Sequence, residues 1–548
     1  MNKIYLILLL LGLNITVSAQ QQPLSSPQAP KLIVVLVVDQ MRYDFLYRFQ
    51  NNYGTKGLNK LMNEGVNCTN THYNYAPTYT GPGHCAILSG ATPMFSGIAG
   101  NNWWDRDLQK EVYCTYDSTQ TSVGTTSTAG KMSPHRMQCT NLGDQMKIAS
   151  CQQAKVFGIA LKDRGAILTA GHNPDGAYWF DGLTGRWITS SYYRADLPKW
   201  LIEYNAKNNP ANYLESAWKP TLPLSGFHTC VSDAASYEGK FISDTTSAFP
   251  HYFDASKKIS YDVIRATPFG NTITKEIAIE LIKNEQLGKD LITDLLTISF
   301  SSPDYIGHKF GPQSHEIEDN YVRFDAEIAE LLAFLNNEIG KKNVLVVLTA
   351  DHGAAEVPGY MNTLGMPGGV VNSELEIVAP SKKWLQQNYN DSTLYLYYNN
   401  QQIYLDRKKI VAAKLDYKSI CEGLASFLLT QKNIYNVLPM QQLLSLSTDV
   451  KFYTNWQRGI HPVRSGDLMV LLPLGWLEDM PQGTSHGTSF AYDTHVPLLW
   501  WGWHLTPISI QRTINITDIA ATISQLLKIQ EPDACIGIPI IEIVSQKK

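Results

Sequence analysis

Leu32-Ile33-Val34-Val35-Leu36-Val37-Val38 runs without a polar interruption, and Asp39 follows at once. A strand with one wet face alternates polar and apolar side chains, so an unbroken run predicts a strand covered on both faces, as in parallel sheets. Ligands collect outside the carboxyl ends of such strands, which is where Asp39 stands. The pattern recurs along the chain. Lys155 to Leu161 reads as a second buried strand and leads into Lys162-Asp163-Arg164. Asp290 to Phe300 reads as a third and leads through Ser301-Ser302-Pro303 to Asp304 and His308. Asn343 to Leu348 reads as a fourth and delivers Asp351-His352-Gly353. Helical patterns over 272–286, 316–338 and 517–527 separate or follow these runs. The expected fold class is therefore α/β, a mostly parallel central sheet flanked by helices.

A hydroxyl is offered at Pro77-Thr78-Tyr79-Thr80-Gly81-Pro82-Gly83-His84, between an expected strand over Val66 to Tyr75 and the apolar Cys85-Ala86-Ile87-Leu88. A threonine at a strand-to-helix turn sits beside unpaired backbone N–H groups and the positive end of the helix dipole, which favour an alkoxide or a bound phosphate. Thr80 is accordingly the candidate nucleophile, although taken alone it reads first as a helix N-cap. Asn101 lies in the glycine-punctuated loop 96–104 and could donate an amide to a phosphoryl oxygen. Lys162 and Arg164, one residue apart, could converge on one anion. Asp304 and His308 share a helical face, Asp351 and His352 are adjacent, and Gly483-Thr484-Ser485-His486 adds one more imidazole.

The 548 residues bound the rest. Residues 1–19 carry Lys3, the apolar run Ile4 to Leu13 and Val17-Ser18-Ala19, the pattern of a removable secretory signal. Residues 20–31 read as a tether, and 32–548 as one elaborated α/β domain with insertions around 105–140, 166–269 and 360–460. The aromatic stretch after Ala166 is expected to wall a pocket. No run is long enough to span a bilayer, so the expectation is an exported bacterial protein, periplasmic or secreted, without a membrane anchor. A net charge of −4 gives no support to a nucleic-acid partner. The eight cysteines include no CxxC pair, which disfavours a cysteine-based zinc site. In an oxidising compartment several of them would form disulfides, with Cys114 and Cys139 placed to pin the 105–140 excursion.

Asp39, Thr80, Asp304, His308, Asp351, His352 and His486 come from separate places, and a mixed carboxylate and imidazole set of this size suits two divalent cations. Zinc accepts both donor types. Taken together, Thr80 in Thr-x-Pro-Gly-His, Gly100-Asn101-Asn102, Leu161-Lys162-Asp163-Arg164, Asp304-xxx-His308, Asp351-His352-Gly353 and Ser485-His486-Gly487 resemble the alkaline phosphatase superfamily. The likeness is to its secreted PafA-type phosphate-monoester hydrolases and, one step further away, to the nucleotide pyrophosphatase/phosphodiesterases. It implies two Zn2+ ions, one held by Asp39, Asp351 and His352 with the Thr80 oxygen, the other by Asp304, His308 and His486. It also implies a phosphothreonine intermediate at Thr80, and phosphoryl oxygens bound by Asn101, Lys162 and Arg164, with Lys162 in place of a third metal. Small-molecule phosphate monoesters are the expected substrates, by a monomer; a phosphodiesterase of the same fold is the alternative. The Cys-x-Pro-x-Arg motif of sulfatases is absent, and the intact residue set argues against a merely zinc- or anion-binding protein. Gly81 stands where relatives often carry a larger residue.

Overall fold

In the computed structural model, Leu32–Val38 is flanked on both sides by parallel partners, and the register brings the ends of all the buried runs to one edge. Val38 pairs with Phe300, Val37 with Thr349, and Ser299 with Ala160. The residues leaving these strands, Asp39, Ser301, Ala350 and Leu161, therefore emerge side by side. The structure describes residues 29–228, 231–253, 260–447 and 449–546. The expected signal at 1–19, the tether up to residue 28, and Cys230 lie outside the described residues.

The sheet has ten strands. Its parallel centre runs in the spatial order Val344–Thr349, Leu32–Val38, Asp294–Phe300, Val156–Ala160, Gly176–Asp181. Every residue of these strands is buried, which is why they read as continuous apolar runs. Leu498–Gly502 adds antiparallel to Val344–Thr349 on one side, and Arg186–Ser190 antiparallel to Gly176–Asp181 on the other. Gly176–Asp181 and Arg186–Ser190 fall inside the 166–269 stretch that the sequence assigns to an insertion. Tyr178, Trp179 and Phe180 are thus sheet core and not pocket wall, a correction of the expected cap. The expected strand from Val66 to Tyr75 is two short ones, Val66–Cys68 and Thr71–His72, each pairing elsewhere.

A second, antiparallel sheet of four strands carries its own apolar cluster, including Ile377, Leu385, Ile420 and Leu424. Its strands Tyr395–Asn399 and Gln402–Leu405 are joined by Asn400 and Gln401, with φ of 53° and 60°. Two consecutive left-handed residues make the tight turn whose twist matches a hairpin, and asparagine tolerates that conformation. Within the insertion expected around 360–460, Gly369–Val371 forms a short strand parallel to Trp476–Glu478.

Helix Thr80–Ser89 is buried throughout and stops at Gly90, whose φ of 64° needs glycine. The carbonyl of Gly90 accepts from Ile536 N at 2.9 Å, and a side chain at Gly90 would meet Cys535 Sγ at 2.3 Å. Cys68, Cys85, Cys114, Cys139, Cys421 and Cys535 are free thiols. Cys114 and Cys139, expected to form a pin, pack as apolar side chains beside Trp103, Val112 and Met137. The excursion is held by its own small core. Among the described residues no helix is long and apolar enough to cross a membrane.

Candidate active site

Two groups of ligand atoms form at the carboxyl edge of the sheet. Asp39, Asp351 and His352 place one donor atom each within 4.8 Å of one another, and Asp304, His308 and His486 do the same. Local structure explains each position. Asp39 and Asp351 leave adjacent strands directly. Asp304 and His308 lie one turn apart on helix Ser302–Phe310, with His308 Nε2 3.1 Å from Asp304 Oδ1. The three imidazoles are oriented alike: Nδ1 donates to a backbone carbonyl in His308 (Thr484, 2.7 Å), His486 (Thr78, 2.7 Å) and His352 (Gly353, 2.9 Å). That bond turns Nε2 of each ring toward the carboxylates.

Backbone straps keep the two groups in register. Gly353 N donates to the Asp493 carbonyl at 2.8 Å, while Asp493 Oδ2 accepts from Gly487 N at 3.0 Å and Thr488 N at 2.7 Å. Gly353 is required here, because a Cβ would lie 2.1 Å from the Tyr492 carbonyl oxygen. Gln40 bridges the groups from below: its N–H donates to Asp351 Oδ1 at 3.0 Å and its amide to Asp304 Oδ1 at 2.8 Å.

Thr80 is the first residue of its helix and does not serve as its cap, which is Tyr79. Its Oγ1 lies 3.4 Å from His352 Nε2, facing the first donor group. Four residues on, His84 Nδ1 donates to the Thr80 carbonyl at 2.9 Å and lies 3.3 Å from Asp351 Oδ2, and its Nε2 meets Ser299 Oγ at 2.7 Å. His84 thus braces both the hydroxyl-bearing turn and a candidate ligand.

Lys162 stands between the two groups, with Nζ 2.5 Å from both Asp39 Oδ2 and Asp304 Oδ2. Burial alone would lower its pKa, but the Asp304 and Asp39 carboxylates hold it above its ordinary value. Burial, together with Asp304 and Asp351, pushes Asp39 well up. Asp304 and Asp351 go the other way: burial opposes ionisation, yet His308 and Lys162 hold the first well below the carboxylate range, and His352 and His84 hold the second down. Burial, with His352 and His308, keeps His486 neutral.

Asn101 Oδ1 accepts from Gly81 N at 2.7 Å. A Cβ at Gly81 would come within 3.2 Å of that oxygen and 3.3 Å of the Gly100 carbonyl, so glycine at this position lets the 100–102 loop close on the helix start. Arg164, at the start of helix Asp163–Ala170, donates from Nη1 to the Tyr113 hydroxyl at 3.0 Å, and that hydroxyl donates to Asp163 Oδ1. Its charge is felt at Lys162. The structure therefore brings every candidate residue to one edge.

Sequence reasoning missed Gln40, His84, Tyr113, Asp493 and Asn400. The last is at the tip of the inserted hairpin, where Nδ2 donates to the Asn102 carbonyl at 3.0 Å. Only His84 left a signal, its spacing of four from Thr80.

The donor sets fit divalent metal ions. Asp39 Oδ1 and Asp351 Oδ2 are buried without a hydrogen-bond partner, which a bound cation would satisfy. Three imidazoles and three carboxylates offer both nitrogen and oxygen donors to such ions.

A profile of the family described as type I phosphodiesterase / nucleotide pyrophosphatase matches residues 33–489. The chain is 40% identical over 521 residues to alkaline phosphatase PafA of Elizabethkingia meningoseptica, covering 94% of this chain and 95% of that protein. It is 38% identical over 529 residues to alkaline phosphatase PhoV of Synechococcus elongatus, covering 96% of each. The crystal structure of wild-type alkaline phosphatase PafA matches with a TM-score of 0.90 at 40% identity, over 94% of this chain and 99% of that one.

Proposed function

Because the chain belongs to the type I phosphodiesterase / nucleotide pyrophosphatase family and matches alkaline phosphatases over nearly its whole length, we propose that it is an alkaline phosphatase. It hydrolyses phosphate monoesters to inorganic phosphate through a phosphothreonine at Thr80, with two zinc ions as cofactors. The observation that carries this reading is Lys162 lying between two carboxylate and imidazole sets, beside a buried threonine hydroxyl.

The residues divide the work. Lys162, Arg164 and the Asn101 amide N–H groups hold the non-bridging oxygens of the arriving dianion, where charge stays in a loose transition state. Thr80 Oγ attacks phosphorus in line, and the ester oxygen departs and takes a proton to leave as the alcohol. Water then attacks the phosphothreonine, releasing inorganic phosphate and restoring the Thr80 hydroxyl. Asp39, Asp351 and His352 would hold one zinc beside Thr80, and Asp304, His308 and His486 the other. When bound, such ions lower the pKa of a hydroxyl and offset charge on a departing oxygen. Gln40 and His84 keep the carboxylates aimed, and burial keeps His486 a neutral donor.

Two cations at the phosphoryl end reward a dianionic monoester over a singly charged diester. Comparing an aryl phosphate with its methyl diester tests this, and preference for the diester rejects it. Thr80→Ala tests the covalent step: phosphate release should vanish while zinc stays bound. All these residues come from one chain, so the site needs no second subunit, and we expect a monomer. Export to the periplasm or medium rests on residues 1–19, and amino-terminal sequencing of the mature protein checks it.

A further inference from the structure

Beyond His486, on the second donor group, opens a cavity of about 170 Å³ whose walls differ from the phosphate end. Tyr79 and Trp476 supply aromatic walls, Asn399 and Gln401 come from the inserted hairpin, and Glu478 and Asp493 supply carboxylates. Among the described residues no lysine or arginine lines it. Asp493 is fully buried, and its Oδ1 has no hydrogen-bond partner; Glu478 Oε1 is likewise buried and unpartnered. The Tyr79 ring stands edge-on to His486 at 5.8 Å, so the cavity begins where the second donor group ends.

The proposed reaction sends the alcohol away past that second group, into this space. Two aromatic rings with two carboxylates, and no lysine or arginine in the lining, attract a positive charge, as aromatic cages do for ammonium ligands. The two carboxylates also repel a negatively charged leaving group. The volume is below that of ordinary drug-sized pockets and suits a small alcohol, not a nucleoside. Burial raises the Glu478 carboxyl to about 7, so it is ionised throughout the alkaline range.

We propose that this cavity is the leaving-group subsite and that it selects phosphate monoesters of small ammonium alcohols, of the phosphocholine and phosphoethanolamine type. The inference rests on the phosphatase reading above. The test uses zinc-loaded enzyme and two esters of one shape, phosphocholine and 3,3-dimethylbutyl phosphate, with an aryl phosphate as reference. The ratio of kcat/KM for the first two is measured in wild type, Glu478→Gln and Trp476→Leu, so that their difference in intrinsic reactivity cancels. The ratio should fall about tenfold in Glu478→Gln and severalfold in Trp476→Leu. A ratio unchanged in both variants, with the aryl phosphate still turned over, overturns the subsite alone. Absence of turnover with every ester overturns the phosphatase reading, and the subsite with it.

Discussion

Asn400 donates its side-chain amide to the carbonyl of Asn102 at 3.0 Å, although 298 positions separate them in the chain. The contact joins the tip of the inserted hairpin to the loop that carries Asn101. A side chain at Gly100 would lie 3.0 Å from Asn400 Nδ2, so the seat is close-fitting. Given the role proposed for Asn101, we expect Asn400 to act through it, as a positioning residue. Asn400→Ala should lower kcat/KM about tenfold in the wild-type background. In an Asn101→Ala background it should change little, because residues acting through one contact are not additive. Equal losses in both backgrounds would show that Asn400 acts elsewhere.

Lys162 joins the two carboxylate sets and, in the proposed reaction, also binds the phosphoryl oxygens. Lys162→Ala should cost about 10²- to 10³-fold in kcat/KM for monoesters, the scale of losing one charged stabilising group. Zinc content should not fall, since the ammonium competes with cations for Asp39 and Asp304. Metal analysis of the purified variant checks the second half, and loss of zinc would make Lys162 structural.

Metal removal should abolish turnover and lower the melting temperature together. Without cations, Asp39, Asp304 and Asp351 share a buried edge, and Lys162 pairs with only the first two. Restoring zinc should recover both signals, whereas magnesium alone should recover neither, given the imidazole donors. Full activity after dialysis against a chelator, with metal shown to be absent, would exclude the two-ion reading.

Glu238 offers a stability test away from the site. Burial, then the neighbouring Glu316, pushes its carboxyl up to about 9. The folded state therefore keeps a proton that the unfolded chain releases near pH 4.5. A raised acid contributes stability that is complete below the unfolded value and is lost as pH climbs toward about 9. Glu238→Gln should match wild type near pH 4 and gain on it above pH 5, by up to about 1.4 kcal/mol per pH unit. Thermal unfolding across pH measures the difference, and parallel curves would contradict the assigned burial.

The parts of this protein that could be read in advance are those where burial writes itself into composition. Leu32–Val38, Val156–Ala160, Asp294–Phe300 and Val344–Thr349 lie in the sheet interior with both faces covered, so each is uniformly apolar and its exit residues stand out. Gly176–Asp181 is equally buried but aromatic and flanked by turn residues, which disguised it as a cap. Gln40 and Asn400 act through a left-handed backbone and a distant hairpin, neither of which leaves a periodic trace. The cysteines misled because an oxidising compartment suggests pairing, while Cys114 and Cys139 fill an apolar cluster.

The helix bearing Thr80 is tied at its far end by Gly90 to Ile536, across almost the whole sequence. During synthesis the Thr80 turn emerges early, yet its foothold, like His486, is made only after hundreds more residues. A growing chain therefore carries the Thr80 hydroxyl before the far-end tie or His486 exists. Assembly of the proposed site waits for the last part of the chain to arrive.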